Sequence, residues 1–119
     1  AFCVVRPTRY TYEFIEKAET FTLSFFSEKY RTALNFCGTH SGRNCDKAME
    51  TGLTAAETEN GSVFFNEARL VLECRKIYFD DINPGNFIDP GIDRHYPKKD
   101  YHRMYVGEII NVLTKADET

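Results

Sequence analysis

Ala68-Arg69-Leu70-Val71-Leu72-Glu73-Cys74-Arg75 carries a period of two. Successive side chains of an extended chain point to opposite faces. The stretch therefore predicts a long half-buried strand with Ala68, Leu70, Leu72 and Cys74 inward and Arg69, Glu73 and Arg75 outward. Upstream, Asn60-Gly61 separates residues 53–59 from residues 62–65 and signals a hairpin, because that dipeptide accepts positive φ cheaply. Downstream, Pro84, Gly85, Pro90 and Gly91 break residues 80–100 into a long connection with one helical turn after Asp89. Connections of that length in a small domain are usually functional or act as lids. The last strand is expected over residues 101–114, with Gly107 marking a bulge or a close backbone approach.

The first half mixes strands and helices. A strand over residues 1–6 is ended by Pro7, and Thr11 is placed to cap a helix whose inner face is Phe14, Ile15 and Ala18. A second strand spans residues 20–26, rich in aromatic and β-branched side chains. Ser27 is the expected cap of the next helix, in which Tyr30, Ala33, Leu34 and Cys37 form a stripe and Gly38 is the stop. A loop over residues 39–44 and a short helix over residues 46–52 come next. The sum is a mainly β single domain, residues 1–119, with flanking α. It opens directly on a strand, so the sequence is expected to begin mid-domain.

Composition narrows the function. The chain has 119 residues, 42% hydrophobic and 14% aromatic, which excludes disorder over most of its length. No apolar run is long enough to span a membrane, and no secretory signal is recognisable. With 15 Lys and Arg against 18 Asp and Glu the formal net charge is −3, unlike a protein built to grip a nucleic-acid backbone. The balance is uneven, however: residues 1–47 hold seven basic and five acidic side chains, so this third suits one small anion. The four cysteines, at 3, 37, 45 and 74, form no C-x-x-C pair, which argues against a zinc site. Cys3 and Cys74 lie in apolar runs, and a reducing cytoplasm is the expected location.

Three clusters could carry chemistry. Arg6-Pro7-Thr8-Arg9-Tyr10-Thr11 puts two guanidinium groups and two threonine hydroxyls where a strand gives way to a helix. Helix N-termini expose unpaired N–H groups and a partial positive charge, the donor set a phosphate needs. The same residues also fit a threonine-capped helix with two solvated arginines. Cys37-Gly38-Thr39-His40-Ser41-Gly42-Arg43, with Lys47 beyond it, offers a second anion loop, since Gly42 can turn successive N–H groups to one side. An ordinary Gly-Ser loop reads the same way, and the sequence holds no Walker loop. In Asp100-Tyr101-His102-Arg103-Met104-Tyr105-Val106-Gly107-Glu108, His102 comes directly after the long connection, where a proton donor could reach a ligand. A structural histidine and a rim salt bridge for Glu108 are the plain alternatives. No nucleophile elbow, metalloprotease motif or paired carboxylates indicate hydrolysis.

Taken in this order the clusters resemble the flavin reductase-like family of FMN-binding split barrels, nearest its flavoredoxin-like branch. The matching stretches are Val5-Arg6-Pro7-Thr8-Arg9-Tyr10-Thr11-Tyr12-Glu13-Phe14, Phe21-Thr22-Leu23-Ser24-Phe25-Phe26, Asn35-Phe36-Cys37-Gly38 and Ser41-Gly42-Arg43. Asp46-Lys47, Glu67-Ala68-Arg69-Leu70-Val71-Leu72-Glu73-Cys74 and the cluster around His102 continue the match. The resemblance implies a Greek-key split barrel that dimerises, with FMN at or near the subunit interface. It also implies electron transfer from a reduced nicotinamide or another donor to a flavin or protein acceptor. By that resemblance Arg6, Arg9, Arg43 and Lys47 offset the phosphate charge, Thr8, Thr11 and Ser41 donate hydrogen bonds, Gly42 shapes the cradle, and His102 makes a polar contact near the ring or the donor. No metal is implied. The upstream Asn-x-Met-Thr-x-Ser-Trp-like segment of the family has no counterpart, and the chain has no Trp, so the barrel is expected to be N-terminally incomplete. Two other readings stay open: a non-enzymatic flavin electron carrier, and a cofactor-free barrel serving as a dimerisation module.

Overall fold

In the computed structural model, residues 1–40 and 50–115 are described. The strands are β1 (Phe2–Val5), β2 (Thr20–Phe25), β3 (Ala55–Glu57), β4 (Val63–Phe65), β5 (Leu70–Asp81) and β6 (Arg103–Thr114); the α-helices are α1 (Tyr10–Lys17) and α2 (Arg31–Thr39). Four strands form an antiparallel sheet in the order β1-β6-β5-β2, and β3 pairs with β4 as a separate hairpin. The expected mainly β domain is what forms.

The core is small and sits between α1 and the sheet. Ile15 from α1, Phe21, Cys74 and Tyr105 are buried together, with Cys3, Val5, Tyr12, Leu23 and Leu72 packed against them. Phe14, expected on the inner face of α1, is 58% exposed, so Ile15 alone of that helix is buried. Three side chains hold the C-terminal end of α1 to the sheet. Lys76 Nζ donates to the Ile15 and Glu16 carbonyls at 2.6 and 3.2 Å, a cation on the orphan C-terminal acceptors of the helix. Arg103 Nη1 and the Tyr105 hydroxyl both donate to Glu16 Oε1. Fixing this end fixes the direction in which the N-terminus of α1 points.

Two expectations about the sheet turn out differently, for physical reasons. The β5–β6 pairing shifts register between Glu73 and Cys74, where Ile110 of β6 is the extra residue, and again between Lys76 and Tyr78, where Ile77 of β5 is extra. The side-chain alternation of β5 holds through Glu73, but the face that Glu73 shares with its β2 partner Thr22 is covered by the β3–β4 hairpin, so Glu73 is fully buried rather than outward. The strand also continues to Asp81, beyond the alternating stretch. Gly107 sits at the second shift, opposite Lys76, where a Cβ would lie 2.5 Å from Cys74 Cβ and 2.7 Å from Phe21 Cζ. Close approach is thus the reason for glycine there.

The expected caps also differ. Thr11 lies inside α1 instead of capping it: Arg9 is the N-cap, with no side-chain cap bond. Ser27 precedes a 3-10 turn, Glu28–Tyr30, that leads into α2, and its hydroxyl makes no cap bond. Helix α2 runs past Gly38 to Thr39 because Thr39 Oγ1 turns back onto the Asn35 carbonyl at 2.9 Å. None of its side chains is fully buried, so the expected stripe is only partly covered. The helix expected over residues 46–52 falls mostly outside the described residues; Gly52, at φ +74, takes the conformation that suits a helix stop. Gly61, at φ +82, makes the expected hairpin turn. The long connection holds two 3-10 turns, Pro84–Asn86 and Pro90–His95, each begun by an Asn or Asp side chain accepting from a glycine N–H.

Candidate functional site

Where β1 runs into α1, the side chains of Arg6, Arg9 and Thr11 meet His102, which immediately precedes β6. They line a cleft of about 490 Å³ together with Val4, Val5 and Gly38. Residues nearly a hundred positions apart converge because β1 and β6 are neighbours, with Val5 opposite Arg103. That pairing carries His102 next to Arg6. Pro7 ends the strand, and an Arg9 N–H to Arg6 carbonyl bond of 3.0 Å turns the chain into the helix.

The helix start leaves donors available. No side chain caps α1, and Thr11 is exposed, with no hydrogen bond to its hydroxyl among the described residues. Arg9 is exposed and makes no ion pair among the described residues. The plain reading of a threonine cap therefore fails here, and the alternative use of these groups, on an anion, gains ground.

Arg6 is held differently. Its guanidinium lies over the Tyr96 ring at 4.6 Å, Nη2 donates to the His95 carbonyl at 3.0 Å, and Nε is 3.5 Å from Asp100 Oδ2. Nε and Asp100 Oδ1 are buried without a hydrogen-bond partner. Thr8 does not line the cleft; its hydroxyl donates to Asp100 Oδ2 at 3.2 Å. Arg6 and Thr8 thus fasten the long connection to the strand–helix junction, and only part of the Arg6 charge is left for a ligand.

His102 closes the far wall. Its Nδ1 is 2.6 Å from the Tyr96 hydroxyl. Burial, reinforced by the positive charge of Arg6 and opposed by Asp100, holds its imidazole below the usual histidine range, so the ring is neutral at pH 7. An apolar groove of about 520 Å³ adjoins the cleft and shares Val5 and Thr11 with it; Phe14, Ile15, Phe21, Leu23 and Val63 are among its walls. A polar cleft with two arginines and an apolar groove beside it suit a ligand with an anionic tail and a flat apolar body.

Of the residues singled out in the sequence, Arg6, Arg9, Thr11 and His102 come together. Ser41, Gly42, Arg43 and Lys47 lie outside the described residues. Tyr96 and Asp100 are the site residues that sequence reasoning missed. Asp100 stands two positions before His102 and could have been drawn in with it, whereas nothing local distinguishes Tyr96 from the other six tyrosines. Among the described residues no group of His, Cys, Asp and Glu could hold a metal ion.

Fold and cleft together define a class: an antiparallel β domain whose first strand–helix junction lines a cleft with cationic side chains. The flavin reductase like domain matches residues 1–119, and the chain belongs to that family. Its structure is similar to an FMN-binding protein from Thermus thermophilus with bound p-hydroxybenzaldehyde (20% identity, TM-score 0.75, covering 97% of this chain and 54% of that one). It is similar also to the flavoredoxins of Methanosarcina acetivorans (22% identity, TM-score 0.75, 97% and 52%) and Desulfovibrio vulgaris (Miyazaki F) (24% identity, TM-score 0.71, 97% and 52%). The mostly antiparallel sheet with flanking helices is thus the split-barrel fold, as expected. The chain spans about half the length of these structures. No curated protein matches it.

Proposed function

We propose that the protein binds FMN and serves as a flavin reductase-like oxidoreductase, passing electrons from a reduced nicotinamide or another donor to a flavin or protein acceptor. The observation that carries this reading is the convergence of Arg6, Arg9, Thr11 and His102 on one cleft at the start of α1. Family membership and the FMN named for the similar Thermus thermophilus protein support it. The donor set fits the cofactor: an uncapped helix start, an exposed Arg9 and a hydroxyl on Thr11 would hold the phosphate, and the adjoining apolar groove offers a dry wall. Arg43, Lys47, Ser41 and Gly42 would complete the phosphate and ribityl contacts, and Thr8 would act through Asp100. When bound, the flavin ring supplies the redox chemistry, and the protein supplies binding, orientation and electrostatics.

The chain's own contribution is positional. His102, neutral at pH 7, offers a hydrogen bond and not a full charge. We place the protein in a reducing cytoplasm, where the free thiols of Cys3, Cys37 and Cys74 persist. A homodimer, covering the open sheet, is the assembly this reading expects.

Titration of purified protein with FMN tests the proposal. Quenched flavin fluorescence and a shifted absorption band are expected, with Arg9→Ala weakening binding about tenfold by loss of one charge-assisted contact. Unquenched, unshifted FMN at all protein concentrations refutes it. Bound FMN that NADH and NADPH fail to reduce would move the protein to the electron-carrier reading.

A further inference from the structure

Tyr96 takes no part in the chemistry proposed above, yet it is buried and its hydroxyl meets the one histidine of the cleft. We infer that Tyr96 is a positioning residue that holds the His102 imidazole by Nδ1 and thereby presents Nε2, as an N–H donor, to the ligand in the cleft. The inference deepens the FMN reading and rests on it for the identity of that ligand.

The placement of the Tyr96 ring is determined from several sides. Tyr96 ends the turn Pro90–His95, where its N–H donates to the Asp93 carbonyl at 2.9 Å. The Arg6 guanidinium covers the ring at 4.6 Å, and Arg6 is in turn fixed by the His95 carbonyl and Asp100. Phe87 lies almost parallel to the ring at 6.2 Å, and Tyr101 packs at 4.8 Å. Tyr101 is itself tied down, its hydroxyl donating to Asp93 Oδ1 at 2.5 Å. A phenol held this way has little freedom to follow the imidazole, so the imidazole must follow it. The rings meet edge to face, at 86° and 5.6 Å, with hydroxyl and Nδ1 in contact.

Chemistry then selects the tautomer. A neutral imidazole has one donor and one acceptor nitrogen. A phenol is the better donor of the pair at neutral pH, so Nδ1 accepts and the proton resides on Nε2. Tyr96 does not line the cleft and His102 does, so the nitrogen opposite the phenol is the one left for the ligand; among the described residues it has no other partner. A fixed N–H suits a carbonyl oxygen or an unprotonated ring nitrogen, and it disfavours a ligand donor. The charged groups facing His102 are Arg6 and Asp100, and the Arg6 guanidinium that covers the Tyr96 ring also disfavours a positive charge on the imidazole.

The test uses the full 119-residue chain labelled with 15N and free of ligand, so it is decided separately from whether FMN binds. Long-range proton–nitrogen spectra report each histidine's tautomer, and His102→Gln assigns the signals among His40, His95 and His102. The wild-type protein is expected to show His102 as a single Nε2–H tautomer. In Tyr96→Phe, which keeps the ring and removes only the hydroxyl, the two nitrogen shifts should move toward tautomer averaging. The imidazole pKa should rise by about half to one pH unit, because a bond to the neutral form is lost. A wild-type Nδ1–H tautomer or a tautomer mixture overturns the inference without any variant. An unchanged tautomer in folded Tyr96→Phe overturns it as well.

Discussion

Glu73 is a carboxylate with no exposure to solvent in a protein of modest core. It tolerates burial because donors surround it: Thr58 Oγ1 at 2.5 Å on one oxygen and Asn60 Nδ2 at 3.2 Å on the other. Burial alone would raise its pKa, but hydrogen bonds from Ser62, Thr58, Asn60 and Asn111 together outweigh it and hold the group below the usual glutamate range. Glu73 thereby ties the turn of the β3–β4 hairpin to β5. Glu73→Gln should destabilise the fold by about 1–3 kcal/mol in urea titration at pH 7, since it replaces charge-assisted bonds with weaker ones. The pH dependence has a defined sign. A folded-state pKa below the unfolded one gives stability that is present above the ordinary glutamate value and is lost as pH falls through the folded value. The difference between wild type and Glu73→Gln should therefore shrink as pH falls below about 4; a constant difference would mean that folding leaves the Glu73 pKa unchanged. None of this is visible in the sequence, where Glu73 occupies an outward position of an alternating run. Only the β3–β4 hairpin, folded over the face that Glu73 shares with Thr22, buries it, and such long-range packing leaves no mark on the local pattern.

At the scale of elements much more was legible. The alternating run, the Asn60-Gly61 hairpin and the turn after Asp89 all form as read, because each depends on local backbone preference. Helix ends were less readable: the Thr11 and Ser27 hydroxyls could cap, but Arg9 and a 3-10 turn take those places. The cleft was half legible. Arg6, Arg9 and Thr11 are close neighbours in sequence, whereas their meeting with His102 requires β1 to pair with β6. That pairing makes Gly107 a sensitive position. The Gly107 N–H donates to the Ala1 carbonyl at 2.8 Å, so it serves the edge of the sheet that carries the cleft. Gly107→Ala puts a methyl into Cys74 and Phe21, and should lower stability by about 1–3 kcal/mol by overpacking. Phe21→Leu in the same chain should recover part of the loss, because it removes two of the three clashing atoms. If Gly107→Ala melts with the wild type, the close approach of β5, β6 and β2 is wrong.

At the scale of the whole molecule, the four-stranded sheet is open among the described residues. Strands β1 and β2 are its two edges, and an exposed strand edge invites pairing with another chain. Exposed apolar side chains flank β1 on both faces: Phe2 is 65% exposed and Val4 48% on one face of the strand, and Phe14, on the side of Cys3 and Val5, is 58% exposed. The apolar groove beside the cleft opens in the same region, walled by Phe14 and Val5, so whatever covers it also finishes the dry side of the ligand site. The homodimer proposed above meets both demands with one surface, since a twofold interface places the same patch of each copy against the other. Sedimentation velocity across a hundredfold concentration range should show a dimer, and Phe14→Glu should shift the equilibrium toward monomer by at least about tenfold without changing the far-ultraviolet dichroism, because Phe14 is not in the core. FMN should bind the monomeric variant more weakly than the dimer, with affinity rising with protein concentration in the wild type. A wild-type chain that stays monomeric throughout, yet binds FMN at full strength, would show that one copy encloses the ligand unaided and would remove the dimer from the proposal.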